Sequence, residues 1–222
     1  MKSFFIVGDV HGCFYTLKNL LTNWNPKTHQ LIFVGDIIDH GKFSPQVARH
    51  IFEIQKSHKD TIVIRGNHEQ LFLQHCLEEF DKDWYEKSGE RTFSQYLVEG
   101  RKIDDDANWF STFPLYFETT GFIVSHAGIS DTKDPFDPKN PEGVVWQRNE
   151  TKKLDKLQIY GHTPKEAALY DANSNSINID TGAYKCNKLT ALIVGEAGNI
   201  IDICSINTAE EDLPQEKEEC LI

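Results

Sequence analysis

A chain of 222 residues, 39% hydrophobic and 11% aromatic, can bury one well-built core and is short for two. Its formal net charge of −11, without any basic stripe, argues against binding a nucleic-acid backbone. No run reaches the ~20 apolar residues of a membrane helix, the start lacks a cleavable apolar leader, and five scattered cysteines form no C-x-x-C pair, so a cytoplasmic protein with reduced thiols is expected.

Phe4 to Val7 reads as a buried strand that stops at Gly8-Asp9-Val10-His11-Gly12. Asp9 and His11 sit two apart, so both side chains can leave the strand end on one side, and Gly12 closes the turn where a side chain would collide. Cys13 to Thr22 follows as a helix with Phe14, Leu17, Leu20 and Leu21 on one face. The pattern repeats: Leu31 to Val34 is a second strand, ending in Gly35-Asp36-Ile37-Ile38-Asp39-His40-Gly41. Ser44 and Pro45, as N-cap and first helical residue, open a helix to about Lys56. Thr61 to Ile64 is a third strand, ending in Arg65-Gly66-Asn67-His68-Glu69, and a helix runs from Asn67 to Phe80. Residues 81–112 are charged and helical in flavour without a ligand cluster, and are expected to form a cap or side insertion that shapes substrate access.

From Leu115 the period changes. Leu115–Thr119 and Phe122–Ser125 flank Thr120-Gly121 as a hairpin, and the second strand ends in Ser125-His126-Ala127-Gly128. A strand over 157–160 ends in Gly161-His162-Thr163-Pro164, and further short strands are expected over 168–170, 176–179, 189–194 and 200–206. Strand–helix alternation first and antiparallel strands later predict an α/β (α+β) chain with two packed sheets and helices outside, one domain over residues 1–206. Residues 207–222, acidic and poor in apolar anchors, are expected to be a disordered tail.

Five strand ends therefore deliver Asp, Asn or His beside a glycine. Asp9, His11, Asp36, Asn67, His126 and His162 mix carboxylate, amide and imidazole without cysteine, a donor set suited to Mn²⁺, Fe²⁺ or Zn²⁺. Six protein ligands exceed what one catalytic ion takes while keeping open positions, so two ions with one shared carboxylate is the simpler arrangement. Two ions roughly 3.5–4 Å apart suit in-line displacement at phosphorus. Which ligand serves which ion stays open at this point.

Gly8-Asp9-Val10-His11-Gly12, Gly35-Asp36-Ile37-Ile38-Asp39-His40-Gly41 and Gly66-Asn67-His68-Glu69 resemble the three signature motifs of the phosphoprotein phosphatase (PPP-type) branch of the calcineurin-like metallophosphoesterases. His126 and Gly161-His162-Thr163 match its later metal histidines, and Trp146-Gln147-Arg148 and Ile179-Asp180-Thr181-Gly182-Ala183 look most like its compact bacterial and bacteriophage serine/threonine phosphatases. The resemblance implies a four-layer αββα sandwich. It implies two divalent ions, Mn²⁺ foremost with Fe²⁺, Zn²⁺ or Ni²⁺ as alternatives, bridged by Asp36 and completed by Asp9, His11, Asn67, His126 and His162. It makes His68 and Asp39 an acid pair, in which the imidazolium protonates the leaving oxygen and the carboxylate orients it. Arg65 and Arg148, with Asn67, become the phosphate-binding residues, a task suited to a planar guanidinium. Asp180 is expected to support the metal shell or turn the chain.

The activity implied is hydrolysis of phosphomonoesters on serine, threonine or tyrosine of proteins. The alternative is hydrolysis of dinucleoside polyphosphates of the symmetrical bis(5'-nucleosyl)-tetraphosphatase type. A third possibility, an inactive binding module of the same fold, sits poorly with six intact ligand positions. The partner expected is a phosphorylated protein or small phosphoester, with no membrane and no nucleic acid. One residue departs from the family: its second motif reads Asp-Arg-Gly, whereas this chain has Asp39-His40-Gly41. Either His40 binds phosphate as imidazolium, or it leaves the clamp to Arg65 and Arg148 and opens room for a larger substrate. The second is favoured, because nearby cations oppose a further charge on imidazole.

Overall fold

The computed structural model describes residues 3–213. Ten strands form two five-stranded mixed sheets. The first holds β1 (Ser3–Val7), β2 (His29–Phe33), β3 (Ile62–Val63), β9 (Lys188–Gly195) and β10 (Ile200–Asn207), in the order β10-β9-β1-β2-β3. The second holds β4 (Tyr116–Glu118), β5 (Phe122–Ser125), β6 (Leu157–Tyr160), β7 (Leu169–Asp171) and β8 (Ser176–Asn178), in the order β4-β5-β6-β8-β7.

The strand alternation explains why the sheets stack. Phe4 and Ile6 of β1 point to the second sheet and join Ile32, Phe122, Val124, Ile159, Ile177 and Leu192 in the seam between the sheets. Phe5 and Val7, with Leu31 and Phe33, face the other way, onto helices α1 (Phe14–Leu21), α2 (Ser44–Ser57) and α3 (Asn67–Leu77). Strands buried on both faces read as continuous apolar runs, and each buried aliphatic side chain contributes about 1.5–3 kcal/mol. The outer face of the second sheet is covered by Ile129, Val144 and Val145, with Leu115, Trp146 and Leu154 against them. These layers give the two mixed sheets flanked by helices that the motifs imply.

Residues 81–112 are helical, as expected: α4 (Lys82–Trp84) runs through a π-helical turn (Tyr85–Gly89) into α5 (Glu90–Glu99), and α6 (Ile103–Ser111) follows. They do not stand apart as a separate cap, because Trp84, Tyr96, Ala107 and Phe110 are part of the main core. A buried Asp106 carboxylate, bonded by the Tyr96 hydroxyl at 2.7 Å and gripped by the Arg101 guanidinium, ties α5 to α6.

Three local expectations need correction. Helix α2 begins at Ser44 with Phe43 as its cap, because the Ser44 hydroxyl faces the preceding loop and accepts the Asp39 N–H at 3.0 Å. The described part of the expected tail is anchored: the Asp212 carboxylate accepts the Thr16 N–H and hydroxyl at 2.7 and 2.6 Å and the Tyr15 N–H at 3.3 Å, capping the first turn of α1 from the far end of the chain. The remainder of that expected tail lies outside the described residues. Cys13, Cys76 and Cys204 are free thiols, but Cys186 is disulfide-bonded, contrary to the expectation that all are reduced. Among the described residues, no helix is long and apolar enough to cross a membrane.

Candidate active site

Topology brings the motifs together. β1, β2 and β3 are parallel to one another, as are β5, β6 and β8, so within each sheet three C-terminal strand ends open at one edge. Ligands gather beyond the carboxyl ends of parallel strands, where side chains from several loops converge. The loops after β1 and β2 are stitched directly, with Asp36 O accepting the N–H groups of Val10 and His11 at 3.1 and 2.8 Å. Glu69, fully buried, adds a second stitch: its carboxylate accepts the N–H groups of Asp36, Ile37 and Gly66, each at 2.9 Å.

The six expected metal-ligating residues meet. Asp9, His11 and Asp36 form one group, and Asp36, His126 and His162 another, with ligand atoms within 4.8 Å of one another in each. Asp36 belongs to both, its Oδ2 lying 3.4 Å from His11 Nε2 and 3.3 Å from His126 Nε2. Asn67 joins the second group, with Oδ1 2.9 Å from His126 Nε2 and 2.8 Å from His162 Nδ1. Asp9, the three histidines, Asp36 and Asn67 are all buried.

The histidines are set up as donors of lone pairs. His11 Nδ1 lies 2.9 Å from Ile38 O, His126 Nδ1 3.0 Å from Val34 O and His162 Nε2 3.1 Å from Trp146 O. Each contact suits an N–H donated to a carbonyl, which turns the other ring nitrogen into an acceptor aimed at the centre. Around the second group, two such nitrogens and the Asn67 oxygen then lie 2.8–3.1 Å apart with no proton to share. That is an unfavourable knot of acceptors unless a cation sits among them. Asp9 supports the same conclusion: Oδ2 accepts the His162 N–H at 3.0 Å, whereas Oδ1 is buried without a partner. Burial, then the charges of Asp180 and Asp36, pushes Asp9 well above the usual carboxylate range. A Cβ on Gly161 would overlap Asp9 Oδ1, so only glycine lets β6 end this close. The donor set and its crowding fit two divalent ions sharing Asp36.

Beside these groups lies a differently built one. His68 Nδ1 is 2.7 Å from Asp39 Oδ2, and the His68 N–H donates to Asp36 Oδ1 at 3.0 Å. Burial alone would lower the His68 pKa, but the Asp36 charge and the Asp39 hydrogen bond outweigh it and raise it to about 9. His68 is therefore an imidazolium at neutral pH, with a side chain that retains 13% of its exposure. Asp39 is entirely buried.

His40 behaves otherwise. Its ring stacks on Tyr184 at 4.4 Å and 13°, and meets His11 and His68 edge-on at 4.7 Å each. Burial, then the charge on His68, drives its pKa down to about 4, so it is a neutral ring at neutral pH. Backbone strain collects in the same place. Five of the eight non-glycine residues with positive φ among the described residues are His11, Asp36, Asp39, His40 and His162.

The two arginines part company. Arg148 is exposed and its guanidinium donates to Thr163 Oγ1 at 3.4 Å, beside His162. Arg65 does not sit as the clamp expected of it. Its guanidinium donates to Ser111 O at 2.8 Å, Phe113 O at 3.2 Å and Gln70 Oε1 at 3.2 Å, fastening the end of the helical insertion to the third motif.

Sequence reasoning passed over three other residues at the site and named a fourth, Asp180, without assigning it chemistry. Asp180 follows a sixth parallel strand end, is buried, and leaves Oδ2 unpartnered; burial raises its pKa to about 6. Its signal was the same strand–acid–glycine pattern as the five ends that were recognised. Glu69 stood inside a quoted motif. Trp84 and Thr92, which touch Asp39, carried no local signal.

Comparison with known proteins agrees with this geometry. A family model described as calcineurin-like phosphoesterase matches residues 2–195. The asymmetrical bis(5'-nucleosyl)-tetraphosphatase PrpE of Anoxybacillus flavithermus is 30% identical over 226 aligned positions, covering 84% of this chain and 88% of its own. A metallophosphoesterase from Sphaerobacter thermophilus shares the fold with a TM-score of 0.65 at 13% identity, over 99% of this chain and 96% of that one. The cold-active protein-tyrosine phosphatase of a psychrophilic Shewanella species does so with a TM-score of 0.63 at 16% identity, over 94% and 81%.

Proposed function

This chain belongs to the calcineurin-like phosphoesterase family, and from that premise we propose that it hydrolyses dinucleoside polyphosphates, cutting a tetraphosphate bridge off-centre. The protein-phosphatase activity first implied by the motifs becomes the second reading, since the phosphatase structures resemble this chain at fold level alone. The expected symmetrical cut gives way as well, because the relative with 30% identity is an asymmetrical enzyme.

The observation that carries the choice of substrate is the wall at the second motif. A phosphomonoester site gains from a guanidinium there; this site has a neutral His40 ring stacked on Tyr184 at 4.4 Å. Flat rings with weak charge suit a substrate that brings an extended nucleotide, and leave phosphate recognition to Arg148 at the rim.

Asp9, His11, Asp36, Asn67, His126 and His162 would hold two divalent ions, which when bound would supply a nucleophilic water at neutral pH and neutralise charge on the phosphoryl oxygens. Mn²⁺ is the ion we assign first, on the mixed oxygen and nitrogen donors. The protein itself does the rest. Glu69 and the carbonyls of Ile38, Val34 and Trp146 fix the ligands before substrate arrives. Arg148 binds a phosphate through paired N–H groups. His68, held by Asp39, gives its proton to the oxygen that leaves phosphorus.

Product analysis tests this. Incubating the Mn²⁺-loaded protein with diadenosine tetraphosphate should give ATP and AMP. ADP as the sole product would place the cut at the centre. Turnover of phosphopeptides with no release from the dinucleotide would restore the protein-phosphatase reading.

A further inference from the structure

Asp39 receives more than its histidine. The Trp84 indole N–H donates to Asp39 Oδ2 at 2.7 Å, and the Thr92 hydroxyl donates to Asp39 Oδ1 at 2.5 Å. Both donors are buried and both lie in the helical insertion, 45 and 53 residues further along the chain. A third residue of the insertion grips the same loop. Gln95 accepts the Ser44 N–H at 2.9 Å and donates to Gly41 O at 2.8 Å. The loop from Asp39 to Ser44 is thus held from one side by three side chains of a single segment.

The backbone of that segment is shaped for the contact. Trp84 closes α4 and leads directly into the π-helical turn Tyr85–Gly89. A π turn inserts one extra residue into the helical ladder and re-aims the side chains around it, at a cost that ordinary helix avoids. Gly89 ends the turn under the indole, where a Cβ would stand 2.8 Å from Trp84 Cζ3 and 2.9 Å from Cε3. The ring is also packed by Phe72 and Phe93, at centroid distances of 6.0 and 5.6 Å. The indole has one place to go, and there its N–H meets Asp39.

We propose that Trp84 and Thr92 are positioning residues for leaving-group protonation: the insertion completes the acid by fixing the Asp39 carboxylate, and through it the direction in which His68 offers its proton. The proposal rests on the reading of His68 and Asp39 as the acid pair. A carboxylate with only the histidine as partner can rotate and let the imidazole swing. With Oδ1 taken by Thr92 and Oδ2 shared by Trp84 and His68, rotation breaks two bonds to neutral donors as well as the one to His68. Hydrogen-bonded networks of this kind act as a unit, so loss of one donor loosens the others. Asp39 also sits at φ 69°, a conformation that a non-glycine residue holds only when its surroundings enforce it.

The test is leaving-group dependence in the full-length, Mn²⁺-loaded protein. Thr92→Val keeps the shape and removes the donor, and Trp84→Phe removes the indole N–H. Each should lower kcat for phenyl phosphate by about 10–100-fold, the range for losing an outer partner of a functional side chain, with KM held. The loss on p-nitrophenyl phosphate, whose leaving oxygen needs little protonation, should be several-fold smaller. Thr92→Ser, which keeps the hydroxyl, should restore the phenyl phosphate rate to within about threefold. In a His68→Asn background, Thr92→Val should add almost nothing, because residues acting as one unit are non-additive. Gly89→Ala, which pushes the indole off its seat, should reproduce the Trp84→Phe pattern without touching a donor. Equal losses on both aryl phosphates, or a full Thr92→Val loss in the His68→Asn background, would reduce the insertion to a fold support and overturn the proposal alone. If His68→Asn itself shows no leaving-group dependence, the acid reading falls and the proposal with it.

Discussion

Asp9 and Asp39 are both buried aspartates at the ends of neighbouring parallel strands, yet their surroundings are opposite. Asp39 has every side filled: an imidazole, an indole N–H and a hydroxyl, at 2.7, 2.7 and 2.5 Å. Asp9 has one backbone N–H on Oδ2, a bare Oδ1, and three further carboxylates, Asp180, Asp36 and Glu69, as its electrostatic neighbours. A buried carboxylate left short of donors carries a free-energy cost that a proton or a bound cation relieves. A buried carboxylate with full donors stabilises a cation of the protein's own, here the His68 imidazolium. One end of the site is therefore built to recruit charge from solution, and the other to keep a proton in place.

The harshest way to break that contrast is at the residue common to both. Asp36 lies between the two ligand groups and also accepts the His68 N–H. Asp36→Asn should cost more than the about 100-fold at the top of the range for losing an outer partner of a metal ligand, and more than His162→Ala. Elemental analysis should find the two-ion content lost; two ions per chain in an Asp36→Asn sample would refute the shared-carboxylate arrangement.

His68→Asn strikes the proton-holding end alone. Metal content should stay intact while kcat falls by roughly 10²–10⁴-fold on poor leaving groups. Proton inventory sharpens the same point. His68 sits at about 9 against an ordinary 6.5, so the acid is present at neutral pH and is lost as pH rises through about 9. The alkaline limb of kcat should lie above the ordinary 6.5 of imidazole, held there by the Asp39 hydrogen bond and charge, and Asp39→Asn should move it downward. An unchanged limb in that variant would detach Asp39 from the acid.

Stability without metal should separate the two aspartates by sign. In chelated protein at neutral pH, Asp9→Asn should raise the melting temperature, since it removes one of four crowded carboxylates. Asp39→Asn should lower it, at a cost of about 1–3 kcal/mol of stability, because an amide nitrogen would face donors that need an acceptor. Calorimetry with and without a chelator reads both, and equal signs would erase the contrast. The mildest change is His40→Ala. A ring already neutral contributes stacking rather than charge, so KM should rise by less than about tenfold, or ~1.4 kcal/mol. A large rise at pH 6 that fades by pH 8 would make His40 a charged clamp after all.

The cluster of expected ligands was legible in the sequence because each residue follows a strand and lies within two residues of a glycine, a pattern contained within a few residues. Asp180 obeyed the same pattern and was expected only to support the metal shell or turn the chain. The proton-holding end was half legible. His68 and Asp39 lay in motifs, but their supports lie across the fold, in a segment whose charged surface hid two buried donors. Arg65 was misjudged for a related reason. An arginine beside a motif looks like a phosphate clamp until the carbonyls of Ser111 and Phe113 arrive from 46 and 48 residues away. The start of α2 shifted because Ser44 serves the loop instead of the helix. Spacing reports what neighbours in sequence can do together; it is silent on which distant donors reach them.

The bond from Asp212 to the first turn of α1 gives the chain a vulnerable order of decay. Helix α1 starts three residues after His11, and its own cap position, Cys13, makes no side-chain capping bond. A protein clipped by a carboxypeptidase short of residue 212 would lose a cap worth about 1 kcal/mol, and the helix that anchors the His11 loop would fray at its near end. Such aged material should release its metal at lower chelator concentration than intact protein while its melting profile stays nearly the same. Activity would then fade in storage well before any loss of solubility announced it.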